Sequence, residues 1–264
     1  MRVAVAGVGL LSPGLEGWTK GREVLSGARP FRPDSMPEPE PALLPANERR
    51  RSTASVRWAL HVAQEAMAHS RLDPREVATI FASSGGEMGV LDQLCRALAT
   101  PERIVSPTLF HQSVHNTAAG YWGIATSCQQ SSTALSCYDD SCAAGLLDAV
   151  SYATAEDCPV LFVSYDLPAP DPLIRARPIL SAFAAALVLR PCPAAGASAT
   201  VALTVTSAAC GEVTEMSASD LERLRADNPS ARLLPVLCAL AGGGADTIRM
   251  DIMGDQRLVV KVER

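Results

Sequence analysis

The sequence predicts an α/β fold in which a parallel-rich sheet is covered by helices. Short apolar runs alternate with segments of helical periodicity along most of the chain, which is the rhythm of β-α-β units. The strand candidates are continuous apolar runs rather than alternating ones, which indicates burial on both faces of the sheet. With 264 residues, of which 48% are apolar, the chain can also bury a large core.

In the first half, apolar runs predict strands at 3–8 and 77–82, and helical spacing predicts helices at 15–25, 88–98 and 114–125. Six prolines between residues 28 and 47 predict a loop. Ser52 or Thr53 is the predicted N-cap of a further helix, because the apolar residues that follow share one helical face. Those residues are Val56, Ala59, Leu60, Ala63, Ala66 and Met67.

The second half continues the alternation of strands and helices. Ser219 and Glu222 have the spacing of a capping box and predict a helix at 220–226. Two apolar runs around Gly254 and Asp255 predict a closing hairpin. The predicted elements are a strand at 131–136, a helix at 141–153, strands at 160–165, 182–189 and 200–207, and hairpin strands at 247–253 and 257–262.

Charge and hydropathy exclude several classes of protein. A net charge of −5 disfavours nucleic acid as a partner. The apolar run at the N-terminus has only nine residues and no A-x-A-like cleavage site follows it, so a buried first strand is expected rather than a secretion signal. No stretch approaches the roughly 20 apolar residues of a membrane span. We therefore expect a cytoplasmic protein without a membrane span. The basic cluster at 47–52, NERRRS, is either solvated surface or a dock for an acidic carrier protein.

No cofactor or metal site is predicted. The motif GVGLLS, from Gly7 to Ser12, lacks the third glycine and the later acidic residue of a dinucleotide site. His111 and His115 have i, i+4 spacing but no third ligand nearby, so packing or hydrogen bonding is the expected role. The eight cysteines contain no C-x-x-C pair, which disfavours a zinc site.

The stretch TALSCYDDSCAAGLLDAV, residues 133–150, is typical of a strand that enters a helix through a polar turn. Many enzymes place a nucleophile at such a strand–turn–helix elbow. Here the centre of the elbow is Tyr138, Asp139 and Asp140, with Cys137 before it and Cys142 after it. The question is whether these residues form an active thiol site.

Over most of its first 205 residues the chain resembles the β-ketoacyl synthases of the thiolase fold. RVAVAGVGLLSPG is similar to their first strand, ERRRSTASVRWALHVAQEAMAHSRLD to their first long helix, and IFASSGGEMG to the strand and glycine turn that follow. SPTLFHQSVHNTAAG matches their S-P-x8-N-x-x-A-G segment, with Asn116, Ala119 and Gly120 in register. The resemblance implies an N-terminal-like synthase domain at 1–205. It also implies a truncated second half, with 206–264 as a short remnant of helix and hairpin that completes the same fold.

In the family, the nucleophilic cysteine lies twenty-three residues after the asparagine, and that count reaches Asp139 here. A carboxylate is a poor nucleophile toward a thioester. The register predicts that Cys137 is buried inside the sheet, and that Cys142 faces away from the elbow in the first helical turn. We expect Asp139 and Asp140, next to Tyr138, to cap the helix, and we predict no catalytic residue.

The histidines support the same interpretation. The synthases carry their catalytic imidazoles beyond the elbow, whereas all four histidines of this chain precede it. The resemblance therefore implies a non-catalytic chain length factor. Such a subunit pairs with a full-length β-ketoacyl synthase and meets acyl carrier protein through the complex. Short forms like this one resemble those of bacterial systems that make aryl polyene or xanthomonadin-like pigments.

The resemblance also assigns two groups of residues. The partner interface is expected at Asn116 and at Ser132, Thr133, Ala134 and Leu135. The bulky aromatics Phe110, Tyr121 and Trp122 are candidates for the end of the acyl tunnel, although core packing is an open alternative for each. Two other functions stay open: an acyltransferase that uses Cys137 or Cys142 in a shifted register, and a small-molecule binder without a dimer partner.

Overall fold

The computed structural model describes residues 1–33, 36, 38–40, 42–192, 199–207 and 211–263. Within these residues, strands and helices alternate as the sequence predicts. The strands are β1 (Arg2–Ser12), β2 (Leu15–Glu16), β3 (Ala78–Ala82), β4 (Ser132–Leu135), β5 (Val160–Asp166), β6 (Phe183–Pro191), β7 (Ala199–Ser207), β8 (Thr247–Ile252) and β9 (Gln256–Glu263). The helices are α1 (Trp18–Leu25), α2 (Ala46–Arg51), α3 (Ala54–Ser70), α4 (Met88–Leu98), α5 (Pro107–Gln112), α6 (Thr117–Thr126), α7 (Ser141–Ala155), α8 (Ser219–Asp227) and α9 (Leu234–Ala241).

The described strands form one mixed sheet in the order β4-β3-β5-β6-β1-β7-β9-β8, with β2 paired to β1. The parallel pairs are those that β3 makes with β4 and β5. The remaining neighbours are antiparallel, which corrects the expectation of mostly parallel pairing. Continuous apolar runs indicate burial on both faces, and this holds for the central strands β1 and β6 although they run antiparallel.

Helices cover both faces of the sheet and enclose two apolar clusters. On one face α3 packs on β1, β5 and β6, and α6 lies beside it. On the other face α7 packs on β3, β5 and β6, and α1 packs against α9. Both faces of the central strands are therefore removed from water, which is the main source of stability in this architecture.

Two glycines in the first strand explain the motif GVGLLS. A Cβ atom on Gly7 would lie 2.0 Å from the carbonyl oxygen of Ala66, and one on Gly9 would lie 2.0 Å from that of Val62. Only glycine therefore lets the backbone of α3 approach β1 so closely. The glycines of this motif therefore serve helix–sheet packing.

Three local predictions can be compared with the structure. Thr53 is the N-cap of α3, and its hydroxyl accepts a hydrogen bond from the Val56 amide, as predicted. The basic cluster forms the short helix α2 at the end of the predicted loop. The prediction of a capping box was wrong. Helix α8 begins at Ser219 without a side-chain cap, because Glu222 pairs with Arg225 and accepts a hydrogen bond from the Met216 amide.

The C-terminal hairpin joins the main sheet. β8 and β9 pair with each other as predicted, and β9 also pairs with β7 along eight residue positions from Thr200 to Ser207. This ladder makes the hairpin part of the same sheet. The division of the chain at residue 205 stays a prediction.

Candidate functional site

The elbow joins the edge strand β4 to the helix α7. Residues Tyr138–Asp140 form a single 3-10 turn, and the Ser141 hydroxyl accepts from the Cys137 amide (2.9 Å) and donates to the Tyr138 carbonyl (2.7 Å). Tyr138 has a φ of 53°, in the left-handed region that bulky residues avoid. Such a backbone costs about 1–3 kcal/mol and persists only where the surroundings fix it. Tyr138, rather than Asp139, is thus the strained residue at the apex of the turn.

Asp139 is held by two arginines and is not a helix cap. Its carboxylate lies 2.5 Å from Arg177 and 3.0 Å from Arg232. Asp140 lies 3.5 Å from Arg232 and accepts a hydrogen bond from the Met253 amide at 3.0 Å. Neither acid accepts a side-chain cap bond from α7, so the predicted capping role is corrected. The two acids instead tie the elbow to the β8–β9 hairpin and to the segment before β6.

Arg177 completes this cluster. Its guanidinium carbon lies 3.9 Å from the centroid of the Tyr138 ring, a cation–π contact, while one nitrogen bonds Asp139. The side chain is only 12% exposed. Sequence reasoning did not find Arg177 or Arg232, because they follow the elbow by 37 or more residues and no local pattern marks them.

The two cysteines beside the elbow differ in their surroundings. Cys142 is fully buried in the first turn of α7, and burial raises the pKa of its thiol to about 12. Cys137 is half-buried and lies beyond the end of β4, so the prediction that it is buried inside the sheet was wrong. A thiol with a raised pKa is a poor nucleophile at neutral pH, which disfavours Cys142 as a catalytic group.

A buried polar network lies beneath the elbow. Asp166, at the end of β5, accepts hydrogen bonds from the hydroxyls of Ser83, Ser84 and Ser230 and from the Ser84 amide. Burial raises the pKa of Asp166, and these hydrogen bonds oppose the rise. The Ser136 hydroxyl also donates to the Ser84 carbonyl, which connects the network to the elbow. Polar residues at the ends of the neighbouring strands β3 and β5 were a signal that the sequence analysis did not use.

The three predicted tunnel aromatics occupy different environments. Phe110 on α5 is 66% exposed, whereas Trp122 is buried in the core between α3 and the sheet. Tyr121 is also largely buried, but it lines a cavity of about 440 Å³ together with residues from α2, α5 and α6. These positions leave the tunnel role of the three aromatics as a prediction.

The predicted interface residues lie at one edge of the molecule. β4 is the last strand of the sheet and pairs only with β3 among the described residues. Asn116 is exposed at the start of α6. Several large apolar side chains are exposed in the segment that precedes β4; they are Leu98, Ile104, Phe110, Val114 and Ile124.

His115 is explained by hydrogen bonding, as predicted. Its Nε2 atom lies 2.9 Å from the Leu135 carbonyl oxygen at the end of β4. Among the described residues, no group of three or more His, Cys, Asp or Glu side chains could hold a metal ion. In the same part of the chain, no helix has the length and apolar character that spanning a bilayer requires.

Residues 25–236 match the family model described as "Beta-ketoacyl synthase, N-terminal domain". Since the match covers well over half of the chain, the chain belongs to this family. The resemblance drawn from the elbow and the asparagine segment is thereby confirmed. No curated relative matches the chain.

Three solved complexes have similar chains. A chain of the ketosynthase ApeO in complex with its chain length factor ApeC from Xenorhabdus doucetiae is 23% identical, with a TM-score of 0.73. A chain of the AntDE:AntF complex, a type II PKS acyl-carrier protein with its ketosynthase, is 14% identical, with a TM-score of 0.74. A chain of the ishigamide ketosynthase/chain length factor is 13% identical, with a TM-score of 0.71.

Each of these matches covers 99% of this chain and 99% of the other. At such identities the likeness concerns the fold. The predicted class, a thiolase-like synthase fold with parallel strands covered by helices, is confirmed.

Proposed function

We propose that the chain is a non-catalytic chain length factor that pairs with a full-length β-ketoacyl-ACP synthase and shapes its acyl tunnel. The observation that carries this proposal is the elbow. Where a condensing enzyme needs a free thiolate, this chain has Asp139 bound to Arg177 and Arg232. A carboxylate held by two cations is neither a nucleophile toward thioesters nor a free general base.

The edge strand β4 is the proposed pairing element. The backbone amides of Thr79 and Ser83 donate hydrogen bonds to the carbonyls of Ser131 and Leu135, so these two carbonyls point toward β3. Because residues of a strand direct their backbone groups alternately to its two sides, Ser132 and Ala134 direct theirs away from β3. Unpaired backbone groups of this kind are a template for another strand. We assign them to the partner synthase, with Thr133 and Leu135 completing the pairing strand and Asn116 beside it.

The exposed apolar side chains near β4 support the same assignment. Phe110, Val114 and Ile124 are 66%, 46% and 57% exposed, and all three precede β4 in the chain by less than thirty residues. Groups of exposed large apolar residues on a folded chain indicate a protein interface. We call β4 together with Phe110, Val114 and Ile124 the open face.

The acyl tunnel is proposed to end near Tyr121. An acyl chain that grows into a closed apolar space stops when a bulky wall makes two further carbons unfavourable. Overpacking costs about 1–3 kcal/mol, which slows an extension roughly 5- to 150-fold. Tyr121 and Ile124 of the open face line the cavity of about 440 Å³, together with residues of α2 and α5. Phe110 lies on the same helix α5, and Trp122, the next residue to Tyr121, is buried.

The similar structures support a pathway of the same kind. Two of them are ketosynthase complexes with a chain length factor by their names, and the third includes an acyl carrier protein. From the resemblance of this short chain to the chain length factors of pigment-forming systems, we further propose a cytoplasmic type II system that makes bacterial polyenes. The carrier protein acts through the complex. The exposed Arg50 and Arg51 of α2 are a candidate contact for that acidic partner.

Co-production with a full-length synthase tests the pairing. The chain should co-purify with the synthase as a stable 1:1 complex. Ala134→Pro removes a backbone donor that points away from β3, so it should abolish the complex without unfolding the chain. Lys20→Glu, an exposed change on α1, is the control and should leave the complex intact. A synthase that never associates with the wild-type chain would overturn the proposal.

Product length tests the tunnel. In the reconstituted complex, Tyr121→Ala enlarges the cavity and should shift the product by at least one two-carbon unit toward longer chains. The conservative variant Tyr121→Phe keeps the ring and should leave product length unchanged. If Tyr121→Ala and the wild type give the same product, Tyr121 serves packing only.

A further inference from the structure

Among the described strands, the sheet has an edge strand at each end, β4 on one side and β8 on the other. β8 is the outer strand of the C-terminal hairpin and pairs with β9 along six positions, from Thr247 to Ile252. An edge strand presents backbone groups that can pair with another chain. The far edge of the sheet could therefore add a strand just as β4 could.

The backbone groups of β8 that point away from β9 can be identified from the ladder. The Val262 amide donates to the Asp246 carbonyl at 2.9 Å, so the carbonyl of Asp246 points toward β9. Because these directions alternate along an antiparallel strand, Thr247, Arg249 and Asp251 direct their backbone groups away from β9. These three positions form the outer edge of the sheet.

The segment 211–216, which we call the edge strap, covers the middle of this edge. The Thr214 amide donates to the Arg249 carbonyl at 2.9 Å, and the Arg249 amide donates to the Thr214 hydroxyl at 3.0 Å. A single residue thus binds both backbone groups of Arg249. The second bond uses a side-chain oxygen where a neighbouring strand would supply a carbonyl, so the edge strap does not continue the ladder as a regular strand.

Both ends of the edge strap are fixed to the rest of the fold. At one end, the Met216 amide donates to the Glu222 carboxylate of α8 at 2.7 Å. At the other end, Gly211 has a φ of 118°, and a Cβ atom there would lie 3.1 Å from Nε of Arg249. This conformation and close approach favour glycine. The edge strap is therefore built against β8 along its length.

The charges of β8 indicate which strand would pair with it if the edge strap were absent. Arg249 and Asp251 have opposite charges and lie two residues apart, on the same face of the strand. Two antiparallel copies of β8 can therefore place Arg249 of each opposite Asp251 of the other, around a two-fold axis. Opposite charges in facing positions stabilise a strand pair. Asp251 already pairs with Arg257 of β9, and its second carboxylate oxygen can take the new contact.

We propose that the edge strap blocks strand addition at β8, and that the partner it excludes is a second copy of this chain. The consequence for assembly rests on the proposed function. With β8 covered and β4 open, each chain has one strand-pairing surface, so the complex with the synthase stays 1:1 and does not grow further through its sheet edges.

Light scattering after size-exclusion chromatography tests the proposal on the full chain in its synthase complex. Thr214→Pro removes both the amide and the hydroxyl that bind Arg249. Its molar mass should rise toward twice the wild-type value as the concentration increases to about 100 µM, because association follows mass action. Thr214→Ser keeps both groups and is the matched control, so its mass should equal that of the wild type at every concentration.

A double variant identifies the surface. Arg249→Pro removes an outward-facing amide, a position at which an edge strand tolerates proline. Added to Thr214→Pro, it should restore the wild-type mass. A raised mass that persists in the double variant would assign the association to another surface and overturn the proposal. A folded Thr214→Pro variant with the wild-type mass throughout would overturn it too.

Thr214→Val decides the case if Thr214→Pro does not fold. Valine has nearly the same shape as threonine and removes only the hydroxyl, so a smaller rise in mass is expected, again abolished by Arg249→Pro. An unchanged mass would then contradict the proposal. If the chain associates with no synthase, the same series on the chain alone remains decisive, because Arg249→Pro separates pairing at β8 from self-association through the open face. The two proposals therefore fail separately.

Discussion

The elbow and the open face differ in two respects: whether their polar groups have partners within the chain, and whether their apolar side chains are buried. At the elbow, the acids Asp139 and Asp140 are paired within the chain, and the strained Tyr138 is held by Arg177. At the open face, backbone groups of β4 have no strand beside them among the described residues, and Phe110 and Ile124 are mostly exposed.

This contrast indicates where the chain makes its contribution. A catalytic site needs a reactive nucleophile or base that is not tied up by other groups. Here Asp139, the position at which the sequence comparison predicts the family's nucleophile, is held by two ion pairs. The open face carries a strand edge without a partner strand among the described residues, and exposed apolar side chains. An arrangement of this kind favours a protein that acts through its surface on a partner.

The largest expected effect comes from charging the open face. Phe110→Glu with Ile124→Glu places two carboxylates in the proposed interface, which should weaken binding of the synthase by at least about 100-fold, or about 3 kcal/mol. Surface plasmon resonance with immobilised synthase measures this. Leu180→Glu changes a side chain of similar exposure, 61%, that is not among the residues of the open face, and should alter affinity less than about threefold. Equal losses in both variants would remove the distinction between the two regions.

The next effect concerns the elbow. Asp139→Ala leaves the largely buried Arg177 without its acid, so the free energy of unfolding should fall by about 2 kcal/mol. Urea denaturation followed by circular dichroism measures the change. Arg175→Ala, which removes an exposed ion pair with Asp171, should cost less than about 0.5 kcal/mol. An Asp139→Ala variant as stable as the wild type would mean that the cluster does not hold the elbow closed.

The smallest effect is the pH dependence of Glu87. The pKa of Glu87 is raised from 4.5 to about 6 in the folded chain, so the folded state binds the proton more tightly than the unfolded state. The stability that this provides is present below pH 4.5 and is lost as the pH rises through 6. Glu87→Gln should therefore gain up to about 2 kcal/mol relative to the wild type between pH 4.5 and 7. Denaturation at both pH values measures it, and a pH-independent difference would contradict the burial of an ionisable carboxylate.

The sequence was sufficient for the order of elements and for the family. The apolar runs located strands such as β5 and β6 to within about two residues, because burial and periodicity are local properties. The direction of a strand relative to its neighbour is not a local property. Strands β6 and β1 pair antiparallel in a register that places Val8 opposite Leu187, which is far away in the chain. Apolar continuity is the same for either direction, which is why the parallel content was overestimated.

The candidate site was only partly predictable. Asp139 could be found by counting from Asn116, but its partners Arg177 and Arg232 come from a different segment and required the folded chain. The cap prediction failed for this reason, since a capping acid and an ion-paired acid look the same in sequence. The burial of Glu87 could not be predicted from the sequence either, because it depends on how α3 and α4 pack against each other.

One measurement tests the central claim most directly. The chain is co-produced with its synthase, exposed to an acyl-carrier thioester and analysed by native and then denaturing mass spectrometry. We predict a 1:1 complex in which the added acyl mass is found entirely on the synthase. An acyl adduct on Cys137 or Cys142 of this chain, or the absence of any complex, would contradict the account.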